Sequence, residues 1–296
     1  MKTLELTSDV VFKSFMLSDN TKNYKARLFS LITGIKEEDL KKAKYTSQEL
    51  KNANKNYKTY KTDIIVEVDN HIINIEMNKE YYDGVIEKNS SYYSKLRSEI
   101  LTHGDNYVDL KKIIQINIDD FHKYKGNKLI YEFKMREKDT LEVEDEFVVS
   151  YHVDLKYLDG KCYNEEEIER LLRIFTEENI DSLRGDKIMD EAIDELERIS
   201  RDTGIIGLYD AEVVERKVYN SKMMYAEKIG MEKGMEKGMK KGMEKGMEKG
   251  MKKGMEKGFK QRNKEIVNNM LKENMPIDII CKITGLNEKE INDLKD

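Results

Sequence analysis

The sequence predicts an α/β protein: a mixed sheet flanked by helices, then a long helical repeat tail and a small helical C-terminal module. Three observations point there. Two β-branched runs, 63–69 and 72–78, surround a short polar turn, and a third run lies at 112–119. Stretches of helical period stand before, between and after them, which fits layered α/β architecture better than an all-helical array. Between Gly230 and Gly258 a strict four-residue period sets in, holding eight of the 17 glycines and seven of the 16 methionines.

Taken in order, Ser8 is a capping residue followed by Val10, Val11, Phe12, Phe15 and Met16 at helical spacing, so a helix starts there. Residues 36–62 are polar, with eight Lys against four acids, and read as a loop or short helix. The two runs around Asn70-His71 read as a hairpin, 81–102 as a helix and 112–119 as the third strand. Further strands are expected near 129–135 and 147–155, and helices over 165–178 and 186–201. The expected domains are 1–210, a 211–260 repeat segment and a 261–296 module.

Charge argues against strong overall attraction to nucleic acid, because 53 basic and 58 acidic side chains leave a net −5. That figure averages unlike segments: 163–200 holds 13 acids against five bases, whereas 36–62 and 230–258 each carry a surplus of four lysines. Cys162 and Cys281 form no CxxC pair and no zinc spacing, which points to a reducing compartment. With no apolar span and no leader-like start, a soluble cytoplasmic protein without a membrane partner is expected. There is no P-loop, no GxGxxG and no GxSxG, so no nucleotide cofactor is expected. The four histidines show no paired ligand spacing.

The hairpin carries the chemistry. Alternation puts Asp63, Ile65 and Glu67 on one face and Asn74, Glu76 and Asn78 on one face of the partner strand. If Asn70-His71 is a two-residue turn, Asp63 stands opposite Asn78, and Asp63 and Glu76 become diagonal neighbours about 7–8 Å apart. Two such carboxylates can hold Mg²⁺ or Mn²⁺, hard cations that keep several waters. A solvated hairpin face gives the same spacing, so the spacing alone leaves both readings open.

These residues resemble the PD-(D/E)XK nuclease superfamily, and within it the Rpn recombination-promoting nuclease/putative transposase group. Ser8-Asp9-Val10-Val11-Phe12-Lys13 is similar to the opening D-x-x-F-K signature, and Asp63 with Ile75-Glu76-Met77-Asn78 is similar to the D…(D/E)-x-(K/Q) core. Tyr92-Tyr93-Ser94-Lys95-Leu96-Arg97 and the Gly104, Tyr107, Leu110 stretch before the third strand follow the group's aromatic and basic helix; a tail with Gly at every fourth position also recurs there. The likeness covers about residues 1–260. It implies a restriction-endonuclease-like core and Mg²⁺-dependent hydrolysis of DNA phosphodiesters, with Asp63 and Glu76 as metal ligands. Asp9 is either a third carboxylate or a helix-dipole partner. Lys13, at i+4 from Asp9, either pairs with it or contacts phosphate. Asn78 stands where the superfamily has Lys and this group often Gln; it keeps an amide to orient water but is shorter and uncharged. Lys79 points to the opposite face, and Lys95 and Arg97 either replace the missing charge toward DNA or form ordinary helix surface. The alternative is a catalytically weak nuclease fold serving as a DNA-binding or self-assembling scaffold.

In the tail, Met231, Met235, Met239, Met243, Met247, Met251 and Met255 precede Phe259 in the same slot. Each four-residue step overshoots a helical turn by about 40°, so the apolar row winds around a straight helix. Glycine costs about 1 kcal/mol against Ala in a helix. The segment is therefore either a self-association rod, giving a homo-oligomer, or a flexible helical spacer. Residues 265–294 read as three short helices whose acidic last member suits packing or dimer formation better than base reading.

Overall fold

The computed structural model describes residues 3–47, 49–50, 60–100, 110–160 and 166–294. Residues 51–59 of the lysine-rich stretch, Cys162, and Gly104 and Tyr107 of the motif lie outside the described residues. The chain divides into two units, Met1–Glu215 and Arg216–Asp296.

The first unit opens with helices α1 (Asp9–Leu17), α2 (Lys22–Thr33) and α3 (Glu37–Lys42). Short strands β1 (Lys44–Thr46), β2 (Glu49–Leu50) and β3 (Tyr60–Lys61) follow, where the lysine-rich composition suggested only a loop or short helix. The hairpin is β4 (Ile64–Val68) and β5 (His71–Asn78). Then come α4 (Val85–Ile100), β6 (Lys112–Asp119), β7 (Ile130–Arg136) and β8 (Val143–Asp154). Helix α5 (Glu167–Leu172) is shorter than the 165–178 expectation and passes into 3₁₀ turns, and α6 (Lys187–Arg201) is capped by the Asp186 side chain, which accepts from the N–H of Ile188 and Met189 at 2.8 and 3.0 Å.

The six-stranded sheet has the order β1-β4-β5-β6-β8-β7. Pairings β5/β6 and β6/β8 are parallel and the others antiparallel, so the sheet is mixed. Its two faces differ. On one, Ile73 and Ile75 of β5, Ile114, Ile116 and Ile118 of β6 and Val149 and Val153 of β8 join Phe12, Phe29, Ile193 and Leu196 of α1, α2 and α6 in the main core. Burial of such side chains, at roughly 1.5–3 kcal/mol each, is what holds the unit together. On the other face, Leu96 of α4 meets Ile65 and Ile113. Toward the strand ends that face turns polar.

Helix α7 runs from Thr203 to Lys272 and takes in the whole repeat and the first of the three expected terminal helices. Met231 to Met255 are 64–73% exposed along it. In the second unit, Val267 near the end of α7 packs with Ile280 of α8 (Ile277–Thr284) and Ile291 and Leu294 of α9 (Glu288–Leu294). Gly285, at φ +73°, closes α8 by donating its N–H to Cys281 O at 2.9 Å. Asn287 and Glu290 then form a reciprocal capping box, both bonds 2.9 Å.

Candidate active site

The hairpin register differs from the expected one. Ile64 pairs with Ile75, Val66 with Ile73 and Val68 with His71, so the turn is Asp69-Asn70, with Asp69 at φ +43°. The same register carried one step further sets Asp63 across from Glu76 rather than diagonal to it. The chain bends at Asp63, just before β4, so its carboxylate turns back along the hairpin and accepts the Met77 N–H at 2.9 Å. The Asp63 N–H in turn reaches Glu76 Oε1 at 3.4 Å. Shifting the pairing by two residues keeps every side chain on its face, which is why the carboxylates still converge.

Around this pair stand two ammonium groups. Lys13, one turn into α1, lies 2.6 Å from Asp9, the pairing its i+4 spacing allowed, and also 3.3 Å from Asp63, which the sequence did not indicate. Lys88 of α4 lies 3.3 Å from Glu76 Oε2. Glu76 is fully buried; burial first, then the nearby Asp63 charge, hold its carboxyl well above the ordinary range, with Lys88 pulling the other way. Burial likewise raises Asp63, opposed by Lys13 and the Met77 N–H. Although burial works against it, Lys13 is held above the usual lysine value by Asp63 and Asp9.

Asn78 is 5% exposed, and its Nδ2 donates to Asp119 Oδ1 on β6 at 2.8 Å. A chain of buried amides links the two ends of the site. Asn74 Nδ2 bonds Glu76 Oε1 (3.3 Å) and Gln115 Oε1 (2.8 Å), and Gln115 donates to Asn117 Oδ1 (3.0 Å). Asn117 Nδ2 then lies 3.2 Å from His152 Nε2, and His152 Nδ1 lies 2.8 Å from Asp119 Oδ2. Lys79 lies on the opposite face and pairs with Glu5. Lys95 pairs with Glu99 one turn along α4 at 3.3 Å, and Arg97 borders a cavity between α4 and the sheet.

Sequence reasoning missed Lys88 and the amide row. Lys88 carries no motif; its only signal was its place on the helix after the hairpin. The row was visible as polar residues at alternate positions of β6, Gln115, Asn117 and Asp119, within a run of isoleucines. Such a run reads as a strand buried on both faces.

The donor set fits a divalent cation. Asp63 and Glu76 offer hard oxygens, and the buried Glu76 Oε2 has the Lys88 ammonium 3.3 Å away. Among the described residues no third His, Cys, Asp or Glu joins a metal-binding group with them. Asp63 and Glu76 would hold such an ion, with water completing its shell.

A carboxylate pair at the end of a hairpin, Glu76 buried and Asp63 half-buried, on the polar face of a six-stranded mixed sheet flanked by helices, is a nuclease-like arrangement. The chain belongs to the PD-(D/E)XK nuclease family transposases, whose family model matches residues 6–226, from the turn before α1 through α6 and into α7. No curated protein and no solved structure matches it. Among the described residues no helix is long and apolar enough to cross a membrane.

Proposed function

We propose that the protein is a metal-dependent endodeoxyribonuclease of the recombination-promoting type, with Mg²⁺ or Mn²⁺ held by Asp63 and Glu76. The observation that carries this reading is Glu76, fully buried beside a second carboxylate in a chain of nuclease family. When bound, the ion supplies an activated water and neutralises charge on the scissile phosphate. The residues of the chain do the rest. Lys88 brings the positive charge that Asn78 lacks, and from Glu76 it is placed to face a phosphate. Lys13 orients Asp63, with Asp9 as its counter-charge. Asn78 acts as a positioning residue, tying the end of β5 to Asp119. Lys95 and Arg97, farther along α4, serve the DNA backbone. The nuclease portion is 1–210, and the 211–260 repeat and 261–296 module serve assembly, with 230–258 joining copies into a homo-oligomer. Its working place is the cytoplasm.

Incubation with supercoiled plasmid and Mg²⁺ or Mn²⁺ tests this reading. Nicking is expected, abolished by EDTA and lowered at least roughly 100-fold by Asp63→Ala or Glu76→Ala. Lys88→Ala lowers it roughly tenfold or more, with folding intact. Cleavage that survives loss of either carboxylate sinks the site. A second reading, a weak or silent scaffold, is favoured by the Asn78–Asp119 bond, which spends the amide that would orient a water. A large gain of cleavage in Asn78→Lys or Asn78→Gln would support it.

A further inference from the structure

Beside the carboxylates, between α4 and the polar face of the sheet, lies a cavity of about 400 Å³. Aromatic rings wall it: Tyr93 of α4, Tyr124 of the loop after β6, and Phe133 of β7, which is 43% exposed. The Tyr124 and Phe133 centroids stand 5.0 Å apart, and both rings meet His152 edge-on, at 5.3 and 5.6 Å. Gln115 and Asn117 of the amide row form its floor, and Arg97 and Lys134 also line it. Asn89 lines it as well, only 5% exposed, and its Oδ1 is buried with no hydrogen-bond partner among the described residues.

We propose that this cavity receives one unpaired nucleobase of a nucleic-acid strand, stacked against Phe133 and Tyr124 and giving an N–H to Asn89 Oδ1. The assignment rests on the nuclease reading above and adds the form of its substrate. Aromatic faces accept any base, because every base has a π-face. A base inside a duplex has both faces stacked and its Watson–Crick edge paired, so only a single-stranded or extruded base can enter. The unpartnered acceptor on Asn89 suits a base edge that offers an N–H, from an amino group or a ring nitrogen. Arg97 and Lys134 supply cations for the adjoining phosphates. Sequence neighbours bind the two places together: Lys88 contacts Glu76 while Asn89 lines the cavity, and Gln115 on the floor is joined to Glu76 through Asn74. A strand whose phosphate lies at the carboxylates thus delivers a nearby base to the cavity.

The test uses the full chain carrying Glu76→Gln, without metal, and a short single-stranded oligonucleotide with one 2-aminopurine. Quenching of the probe on binding is expected, with no comparable change for the same probe in a fully paired duplex. Phe133→Ala, a change at an exposed side chain, is expected to weaken binding roughly tenfold, and Asn89→Ala several-fold, each with an unchanged unfolding midpoint. Equal quenching in the duplex, or wild-type affinity in both variants, overturns the proposal. AMP as competitor separates a free nucleotide from a base on a strand. Displacement should need at least a roughly hundredfold excess, since the strand adds phosphate contacts; displacement at equal concentration overturns the strand assignment. Plasmid cleavage by the wild-type protein is read separately. Cleavage without quenching rejects the cavity alone, while quenching lost in the variants without any cleavage rejects the nuclease reading and keeps the cavity.

Discussion

Lys25, 2% exposed at the start of α2, donates to the carbonyls of Met16 and Ser18 at 2.7 and 2.8 Å and sits 4.2 Å from the Tyr45 ring centre. Burial, aided by Lys22 and opposed by Asp19, brings its pKa down to about 8 from 10.5. Between those two values the unfolded chain binds more protons than the folded one, so this group's contribution makes stability rise with pH. Below about 8 both states are charged and the penalty is constant. A neutral amine still has two N–H donors for its two carbonyls. Lys25→Met leaves those carbonyls unpaired and is expected to cost about 1–3 kcal/mol at pH 7. Urea unfolding at pH 7 and pH 10 checks this: the gap between wild type and variant should widen at the higher pH, and a constant gap would reject the assigned titration. The site follows the same logic of burial. Glu76 is held high by its burial and by Asp63 beside it, and Lys88 is the ammonium that answers it.

At the scale of elements, the start of α1 shows how a distant helix fixes the site. Ser8 precedes the helix as expected, yet its side chain makes no cap bond of its own. Its Oγ donates instead to Glu212 Oε2 at 2.6 Å, and the Glu212 carboxylate takes the N–H groups of Asp9 and Val10 at 3.4 and 3.5 Å. A carboxylate from α7 therefore caps α1, the helix that holds Lys13 against Asp63. Glu212→Ala is expected to cost about 0.5–2 kcal/mol in thermal unfolding and to lower cleavage more than Glu215→Ala does. Equal effects of the two changes would remove Glu212 from the site's support. The hairpin teaches a related lesson. Registers two residues apart give identical faces, so alternation could not choose between turns at Asn70-His71 and Asp69-Asn70. The choice fell to Asp69, a short polar side chain that tolerates a left-handed backbone at φ +43°.

At the scale of the whole molecule, the 70-residue α7 carries eight glycines at four-residue spacing and still forms one helix. Met, Glu and Lys favour helix, and propagation over so long a segment adds one hydrogen bond for each residue fixed. Met231 to Met255 form an exposed apolar row along this helix, with glycines on either side of each methionine's repeat. Light scattering on the full chain is expected to give more than a monomer, and deletion of 230–258 to return a monomer. A monomer in both cases rejects assembly through the repeat.

Much of this protein was written locally in its chain. Period-two and helical patterns, together with the β-branched runs, set the hairpin, the third strand and the main helices, while the parallel pairing of that strand with β5 came from the tertiary structure. Asp63 and Glu76 stood out through their likeness to a nuclease core motif, because their spacing alone suits a solvated hairpin face as well. Tertiary structure decided what no local pattern encodes: that Lys88 rather than Lys95 meets Glu76, that Asn78 is spent on Asp119, and that Glu212 caps a helix more than 200 residues earlier. It also decided that the amides of β5 and β6 form one buried row under an aromatic cavity. The physical reason is common to all four. A hydrogen bond or ion pair between elements depends on where the faces of the sheet and helices meet, and that is settled by burial of the shared core.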